Sequence, residues 1–547
     1  MNVAEAVGRT LVGLGVDHVF GVVGSGNFHL TNAMVDAGSR YVAARHEGGA
    51  TTMADAYART SGSVAAVTVH QGCGLTNTMT GLTEAAKSRT PLVVLAADVT
   101  ETRSNFYVDQ DALATAVGAV PLRVADAATA VATAAEAFRT ARLDRRTVVL
   151  NLPLHVQAEE VPDGSAPVAP AHAPDQSVLD PAAVQRLADA LGRASRPVFV
   201  AGRGSRGKGS AAALERLADA TGSLLATSAV AKGLFHGNPW SLDVSGGFST
   251  PVAAELIRGA DLIAGWGCAL NMWTMRQGTL IGPDTVVAQV DLDPDAIGLQ
   301  RPVHLGVVGE VATVATGVLA ALGPGEHRSG YRDEAVRQRI ADEGRWRDVA
   351  YDDQSTDDRI DPRTLSIRLD DVLPSDRVVG VDSGNFMGYP SMFWSVPDER
   401  GFCFTQAYQS VGLGLATTIG AALAQPDRLA VAALGDGGAL MGVSELETVV
   451  RLRIPMVVVV YDDEAYGAEV HHFGPHGFDL STVRFPPTDI AAIGRGFGFE
   501  AVTVRRAEDL SAVADWVSGD RHRPLLVDAK VVGTQPSWWL EEAFKGH

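Results

Sequence analysis

Residues 429–467 read LAVAALGDGGALMGVSELETVVRLRIPMVVVVYDDEAYG. The apolar run ending at Leu434 has the length and composition of a strand buried on both faces. Gly435, Asp436, Gly437 and Gly438 then predict a turn, followed by a helix from about Ser444 and a second buried strand ending at Asp462-Asp463. In a parallel unit of this kind, ligands sit beyond the carboxyl ends of the strands. Glycines there let the backbone approach a phosphate, and helix N-terminal amides face it. Asp436 and Asp463, 27 residues apart at two strand ends, supply two hard oxygen ligands, which beside a diphosphate describe a Mg²⁺ position. Each piece alone has an ordinary explanation as a turn or a helix cap. Their combination is what makes the segment specific.

The same rhythm extends outward. VAAVTVH, PLVVLAAD, RTVVLNLPL, RPVFVAG, ADLIAGWG, TVVAQVDLD, RVVGVDSG and PLLVDAK alternate with helix-like stretches. This predicts an α/β protein whose mostly parallel sheets are flanked by helices. Two aperiodic stretches divide it. Residues 157–177, QAEEVPDGSAPVAPAHAPDQS, read as a Pro/Ala linker, and residues 323–362 as a connector with a charged helix-like run and the acidic DDQSTDD. Three domains follow: 1–160, 178–325 and 358–547.

The 547 residues carry 45 Lys and Arg against 64 Asp and Glu, a formal net charge of −19, which argues against a nucleic-acid partner. Three scattered cysteines (Cys73, Cys268 and Cys403) form neither a disulfide framework nor a zinc cluster, and fit a reducing compartment. The opening MNVAEAVGRTLVGLGVDHVF reads as an amphipathic helix entering a strand, without the pattern of a signal peptide. No apolar run is long enough to cross a bilayer. The expected location is the cytoplasm, with no membrane partner.

Segment 429–467 resembles the diphosphate motif of thiamine-diphosphate enzymes, which starts Gly-Asp-Gly and ends at an asparagine pair. Here the pair is Asp462-Asp463, an extra negative charge expected to raise metal affinity or change metal preference. The resemblance implies that Asp436, the Asp463 side chain and the Ala465 carbonyl hold Mg²⁺. It also lays Gly435, Gly437, Gly438, Tyr466 and Gly467 along the cofactor. FGVVGSGN (20–27), RHEGGATTMADAYARTSG (45–62) and HQGCGLTNTMTGLTEAAKSRTPLVVLAAD (70–98) are similar to the pyrimidine domain of the acetolactate synthase and benzoylformate decarboxylase group. That likeness implies pyrimidine, central and diphosphate domains in chain order, with thiamine diphosphate and Mg²⁺ as cofactors. In the family the pyrimidine contact and the diphosphate site come from different chains, so a homodimer is the minimum unit and a homotetramer the expected assembly.

Within RHEGGA, Glu47 takes the place of a buried carboxyl that hydrogen-bonds the pyrimidine ring. Such a group favours the tautomer that removes the cofactor's weakly acidic carbon-bound proton. In QAYQSVGLGLATTIGAALAQPDR (406–428), the Gln409 carbonyl falls where the 4′-amino group is held. Val411 falls where a larger apolar residue props the bent cofactor, with ordinary core packing as the alternative.

Ser25 and His70 match an active-site serine and a proton-transfer histidine of the benzoylformate decarboxylase branch. Glu469 matches a catalytic glutamate of pyruvate and indolepyruvate decarboxylases. Together they offer a hydroxyl, an imidazole and a carboxyl for proton transfer. The plain alternatives are a cap serine, a backbone-satisfied histidine and a surface glutamate. NFYVDQDALATAVGAVPLRV (105–124) lacks the Phe-Gln-Glu and the lysine of acetolactate synthases, and GAEVHHF replaces their Gln-Trp. WGCALNMWTMRQG (266–278) lacks the Arg-Phe-Asp-Asp pattern that accompanies a flavin, so FAD is not expected.

The reading is a decarboxylase of a small-molecule 2-oxo acid that releases an aldehyde or joins it to a second carbonyl. A lyase acting on a 2-hydroxy ketone or 2-hydroxyacyl thioester, and a cofactor-binding subunit without chemistry, stay open as alternatives. GRGSRGKGS (202–210) has no clean GxGxxG, which argues against a nicotinamide dehydrogenase. WWLEEAF (538–544) either closes over the site or packs as an ordinary helix.

Overall fold

The computed structural model describes residues 1–162, 179–323 and 330–543. Most of the expected 157–177 linker, the first residues of the second connector and Phe544 lie outside the described residues. The chain forms three six-stranded sheets in which every strand pairing is parallel. The first contains β1 (His18–Gly21), β2 (Arg40–Ala43), β3 (Ala65–Val69), β4 (Leu92–Asp98), β5 (Val120–Arg123) and β6 (Thr147–Pro153). The second contains β7 (Pro197–Ala201), β8 (Leu224–Thr227), β9 (Ser241–Val244), β10 (Leu262–Trp266), β11 (Val286–Asp291) and β12 (Leu305–Val308). The third contains β13 (Arg377–Val381), β14 (Phe402–Phe404), β15 (Leu429–Gly435), β16 (Met456–Asp462), β17 (Glu500–Val504) and β18 (Leu525–Lys530).

The outer sheets share one topology. Their orders, β2-β1-β3-β4-β6-β5 and β14-β13-β15-β16-β18-β17, superpose strand for strand. The central sheet runs β12-β11-β10-β7-β8-β9. The strand order switches direction between β1 and β3, between β7 and β10, and between β13 and β15, and at such a switch the loops part and leave a crevice. In the central sheet that crevice is filled by the chain itself. The Gly204 amide donates to the Gly267 carbonyl at 3.0 Å, and a Cβ on Gly202 would lie 2.4 Å from that oxygen. Gly202 and Gly204 thus serve a contact between two loops.

The outer domains pack on each other through helix Glu47–Ser61 and helix Gly414–Ala424. Gly420 permits the approach, since a Cβ there would meet the Met53 carbonyl oxygen at 2.1 Å. Residues of both domains, among them Met53, Ala56, Leu415 and Ile419, share one core. The second connector carries the helix Glu334–Glu343 that its charged run predicts. The Trp538–Ala543 helix packs as an ordinary element: the Trp539 ring meets Phe248 at 6.4 Å, and its indole N–H donates to the Asn385 carbonyl at 3.0 Å.

One local expectation is corrected. The glycine stretch after β15 is not an open turn: helix Asp436–Met441 begins at once, and the helix expected from about Ser444 follows as Glu445–Leu452. Missing side chains make room for its neighbours. A Cβ on Gly435, Gly437 or Gly438 would lie 3.0 Å from Phe386, 2.6 Å from Tyr466 or 2.1 Å from an Asp382 oxygen.

Candidate active site

Three groups singled out in the sequence stand at the carboxyl edge of the first sheet. Ser25 follows β1, Glu47 follows β2 and His70 follows β3, and these strands are neighbours. Asp436 after β15 and Asp463 after β16 stand at the same edge of the third sheet, again on neighbouring strands.

At the third sheet, Asp436 is buried, and burial together with the Asp463 charge pushes its carboxyl up to about 8. Burial and the charge of Asp462 push Asp463 up to about 7. Two desolvated carboxylates with no lysine or arginine bonded to either among the described residues call for a cation. The Ala465 amide donates to Asp463 at 3.2 Å, and the loop is fixed by an antiparallel bridge from Ala465 to Arg484. That bridge uses the Tyr466 amide and the Glu464 carbonyl, leaving the Ala465 carbonyl out of it. Gly467 lies against Asp463, where a Cβ would sit 2.5 Å from the carboxylate. A glycine-lined cradle beside two oxygen ligands fits a diphosphate and its divalent metal. Asp436, Asp463 and the Ala465 carbonyl would hold the metal, with Gly435, Gly437, Gly438, Tyr466 and Gly467 around the diphosphate.

Of the Asp462-Asp463 pair, the Asp462 charge is paired, while Asp463 keeps the extra carboxylate at the metal position. Asp462 is buried and its carboxylate forms an ion pair with Lys530, whose ammonium also meets Asp528 at 3.1 Å and donates to the Thr488 carbonyl at 3.0 Å. Alternation along β16 turns Asp462 into the domain and Asp463 toward the site. Sequence reading missed Lys530, because a lysine at the end of a buried strand carries no signal until its neighbour across the sheet is known.

Segment 407–413 is suspended between two buried carboxylates. Glu84, from the first domain, accepts the Ala407 and Tyr408 amides at 3.1 and 2.6 Å. Asp382, after β13, accepts those of Gly412 and Leu413 at 3.0 and 3.2 Å. Burial pushes Asp382 up to about 6 against these bonds. Gln409 between them has a φ of 58°, a strained value for a residue with a side chain. Val411 is 37% exposed in the single chain. Asp382 and Glu84 were both missed by sequence reading. Asp382 ends an apolar run with Asp-Ser-Gly, the same kind of signal that marked Asp436, whereas Glu84 looks like any helix glutamate.

At the first sheet, Glu47 opens its helix and is only partly buried in the single chain, not buried as expected. Its carboxylate accepts the Asn77 amide at 2.9 Å. The glycines after it have distinct uses. Gly49 admits Glu445, whose carboxylate accepts the Arg45 and His46 amides at 3.0 and 3.2 Å; a Cβ there would lie 2.5 Å from it. The structure brings His70 and Ser25 together. His70 Nδ1 accepts the Gly26 amide at 3.2 Å, and a Cβ on Gly24 would touch its ring at 2.8 Å. In the neutral ring this puts the proton on Nε2. Buried Asn27 shapes the Ser25 turn by accepting the Gly24 amide at 2.8 Å, and the Phe106 ring meets His70 edge-on at 5.4 Å. Glu469 is exposed on helix Gly467–Phe473, near the metal loop in sequence. His471 beside it is held below the usual histidine range by burial.

A strongly glycine-lined diphosphate cradle and a carboxylate-bearing helix, on two domains of one topology, define an enzyme built to hold an organic diphosphate cofactor. Residues 1–118 match the N-terminal, 184–318 the central and 382–529 the C-terminal domain of thiamine pyrophosphate enzymes. The chain is 30% identical to a probable 2-ketoarginine decarboxylase AruI of Pseudomonas aeruginosa, over 93% of this chain and 90% of that one. It is 28% identical to a sulfoacetaldehyde acetyltransferase of Rhodobacter capsulatus, over 97% and 94%. It is 26% identical to the acetolactate synthase isozyme 2 large subunit of Escherichia coli, over 94% and 93%. The chain belongs to the thiamine pyrophosphate (thiamine diphosphate) enzyme family. Among the described residues, no helix is long and apolar enough to cross a membrane.

Proposed function

We propose that this thiamine-diphosphate-dependent enzyme decarboxylates a small 2-oxo acid and then releases an aldehyde or joins the product to a second carbonyl, with Glu47, His70, Ser25 and Glu469 as its proton-handling groups. The observation that carries the assignment is the pair of matching sheet edges: Glu47, Ser25 and His70 on one, Asp436 and Asp463 on the other. The names of the relatives, a decarboxylase, an acetyltransferase and an acetolactate synthase, bracket both fates of the product.

The cofactor, when bound with Mg²⁺, supplies the electron sink for breaking the carbon–carbon bond. Asp436, Asp463 and the Ala465 carbonyl would hold the metal, with the backbone of Gly437 and Gly438 at the start of helix Asp436–Met441 beside the diphosphate. The Gln409 carbonyl and the Val411 side chain orient the pyrimidine end, and Glu47 holds a proton against that ring. Asn77 aims the Glu47 carboxylate through its 2.9 Å bond. His70 presents Nε2–H, oriented by the Gly26 amide on Nδ1, and moves a proton at the substrate carbon. Ser25 orients the substrate, and Glu469 delivers the last proton.

Glu47 serves the cofactor held by a second chain. Tyr408, Val411, Leu440 and Met441, all exposed in the single chain, form the apolar face that a homodimer covers. Pairs of dimers complete a tetramer in the cytoplasm.

The test incubates a panel of 2-oxo acids with thiamine diphosphate and Mg²⁺, reading CO₂ release and products by mass spectrometry. Aldehyde formed from a 2-hydroxy ketone, with no CO₂ from any 2-oxo acid, would overturn decarboxylation in favour of a lyase. In Glu47→Gln the cofactor is expected to bind while turnover collapses, and unchanged turnover would remove Glu47 from its role.

A further inference from the structure

We infer that Glu84 is a positioning residue for the cofactor: from the first domain it sets the conformation of the Gln409–Val411 segment that faces the pyrimidine ring. This rests on the reading of Gln409 and Val411 given above. Three observations carry it.

First, Glu84 is fully buried and uses both carboxylate oxygens on the third domain: Oε1 accepts the Ala407 amide at 3.1 Å and Oε2 the Tyr408 amide at 2.6 Å. A bidentate carboxylate on two successive amides fixes the direction in which the chain leaves them.

Second, the residues beyond those amides need fixing. Gln409 is held at a φ of 58°, and Gly412 at 92° is gripped from the other side by Asp382. Only Gln409, Ser410 and Val411 lie between the two clamps. A non-glycine residue stays in this backbone region only where its surroundings over-determine it. Releasing one clamp frees Gln409 to relax and turns its carbonyl away.

Third, Glu84 is itself held rigidly. Arg59 donates to Oε1 at 2.8 Å and Ser88 at 3.2 Å, while Arg59 is fixed by Asp55 at 2.8 Å and by the Phe404 carbonyl at 3.2 Å. Thr90 holds Asp55 in turn at 2.6 Å. Arg59 lies in the last turn of the helix that Glu47 begins, so one helix carries the ring-activating carboxylate at its start and supports the cradle clamp at its end.

The test uses the full-length chain with thiamine diphosphate and Mg²⁺. Two variants are compared with wild type. Glu84→Gln keeps the shape but presents an N–H to one of the two amides. Glu84→Asp keeps the charge beside Arg59 but is too short to reach them. The readouts are cofactor affinity by fluorescence titration and exchange of the cofactor's C2 proton at saturation by NMR, with folding checked by circular dichroism. Loss of one charge-assisted bond in Glu84→Gln, or of both in Glu84→Asp, should slow C2-proton exchange about tenfold or more in the folded variants. A purely structural glutamate would lower thermal stability and leave exchange in the folded protein unchanged. Should Glu84→Gln fail to fold, Glu84→Asp carries the test through the charge it retains. Val411→Ala separates this inference from the reading beneath it. If Val411→Ala slows exchange and neither Glu84 variant does, the role of Glu84 is overturned and the cradle stands. If Val411→Ala also exchanges at the wild-type rate, the cradle reading falls and Glu84 loses its role with it.

Discussion

Replacing Lys530 with methionine should damage this protein severely, and removing the negative charge of Asp462 as well should repair much of the damage. The Lys530 ammonium sits between Asp462 and Asp528, with the Thr488 carbonyl as a third partner, and all three charged side chains are buried. Taking away one partner of a buried ion pair strands the other, at about 3–5 kcal/mol. In Lys530→Met two carboxylates are stranded at once, so the loss should reach the upper end of that range. In Asp462→Asn/Lys530→Met the amide oxygen can still accept the Glu464 N–H that Asp462 accepts at 3.1 Å. Asp528, already pushed up by burial, can hold a proton. The double variant should therefore recover about 2 kcal/mol relative to Lys530→Met. Urea denaturation of the three proteins measures the cycle, with the unfolding of the C-terminal domain followed separately because the chain has several domains. Metal binding supplies an independent arm. Because the Asp462 carboxylate is occupied by Lys530, Asp462→Asn alone should leave Mn²⁺ affinity, read by electron paramagnetic resonance with thiamine diphosphate present, within about threefold of wild type. A double variant no more stable than Lys530→Met, or loss of Mn²⁺ binding in Asp462→Asn, would refute the account of this pair.

His70→Ala should reduce turnover about a hundredfold while leaving thiamine diphosphate affinity unchanged, since the histidine is assigned to the substrate and not to the cofactor. Steady-state rates and a fluorescence titration on the same preparation check this, and equal loss of both would assign His70 to cofactor binding. Asp382 makes a pH prediction. Burial raises its folded-state value to about 6, above that of the unfolded chain near 4. Its contribution is therefore fully present below about pH 4 and is lost as the pH rises through 6, by about 3 kcal/mol. The stability of wild type relative to Asp382→Asn should fall by that amount between pH 4 and pH 7 in urea titrations. A difference independent of pH would show that Asp382 is not shifted.

Ten of the eighteen strands among the described residues correspond to the apolar runs of the sequence, the opening helix predicts β1, and most of the remainder have a common physical explanation. β2, β5, β9, β12, β14 and β17 are the edges of their sheets, short and largely half-exposed, so they lack the continuous apolar signal of a strand covered on both faces. Interior β8 escaped because LLAT is four residues long.

The site divides the same way. Gly435, Asp436, Gly437 and Gly438 were legible because a phosphate cradle needs particular residue types at particular spacings along one stretch of chain. What Asp462 does was not. Its partner Lys530 is 68 residues away, beside it only because β16 and β18 pair in register at Asp462 and Lys530. Glu84 and the Ala407 and Tyr408 amides it grips are more than 300 residues apart, and they meet because a glycine at position 420 lets two helices touch. The sequence alone determines which chemical groups the chain possesses and the strand-and-helix alternation that aims them at sheet edges, since both are local properties. Only the tertiary structure decides which charges are cancelled and which segments are held strained, because those depend on distances between residues remote in the chain.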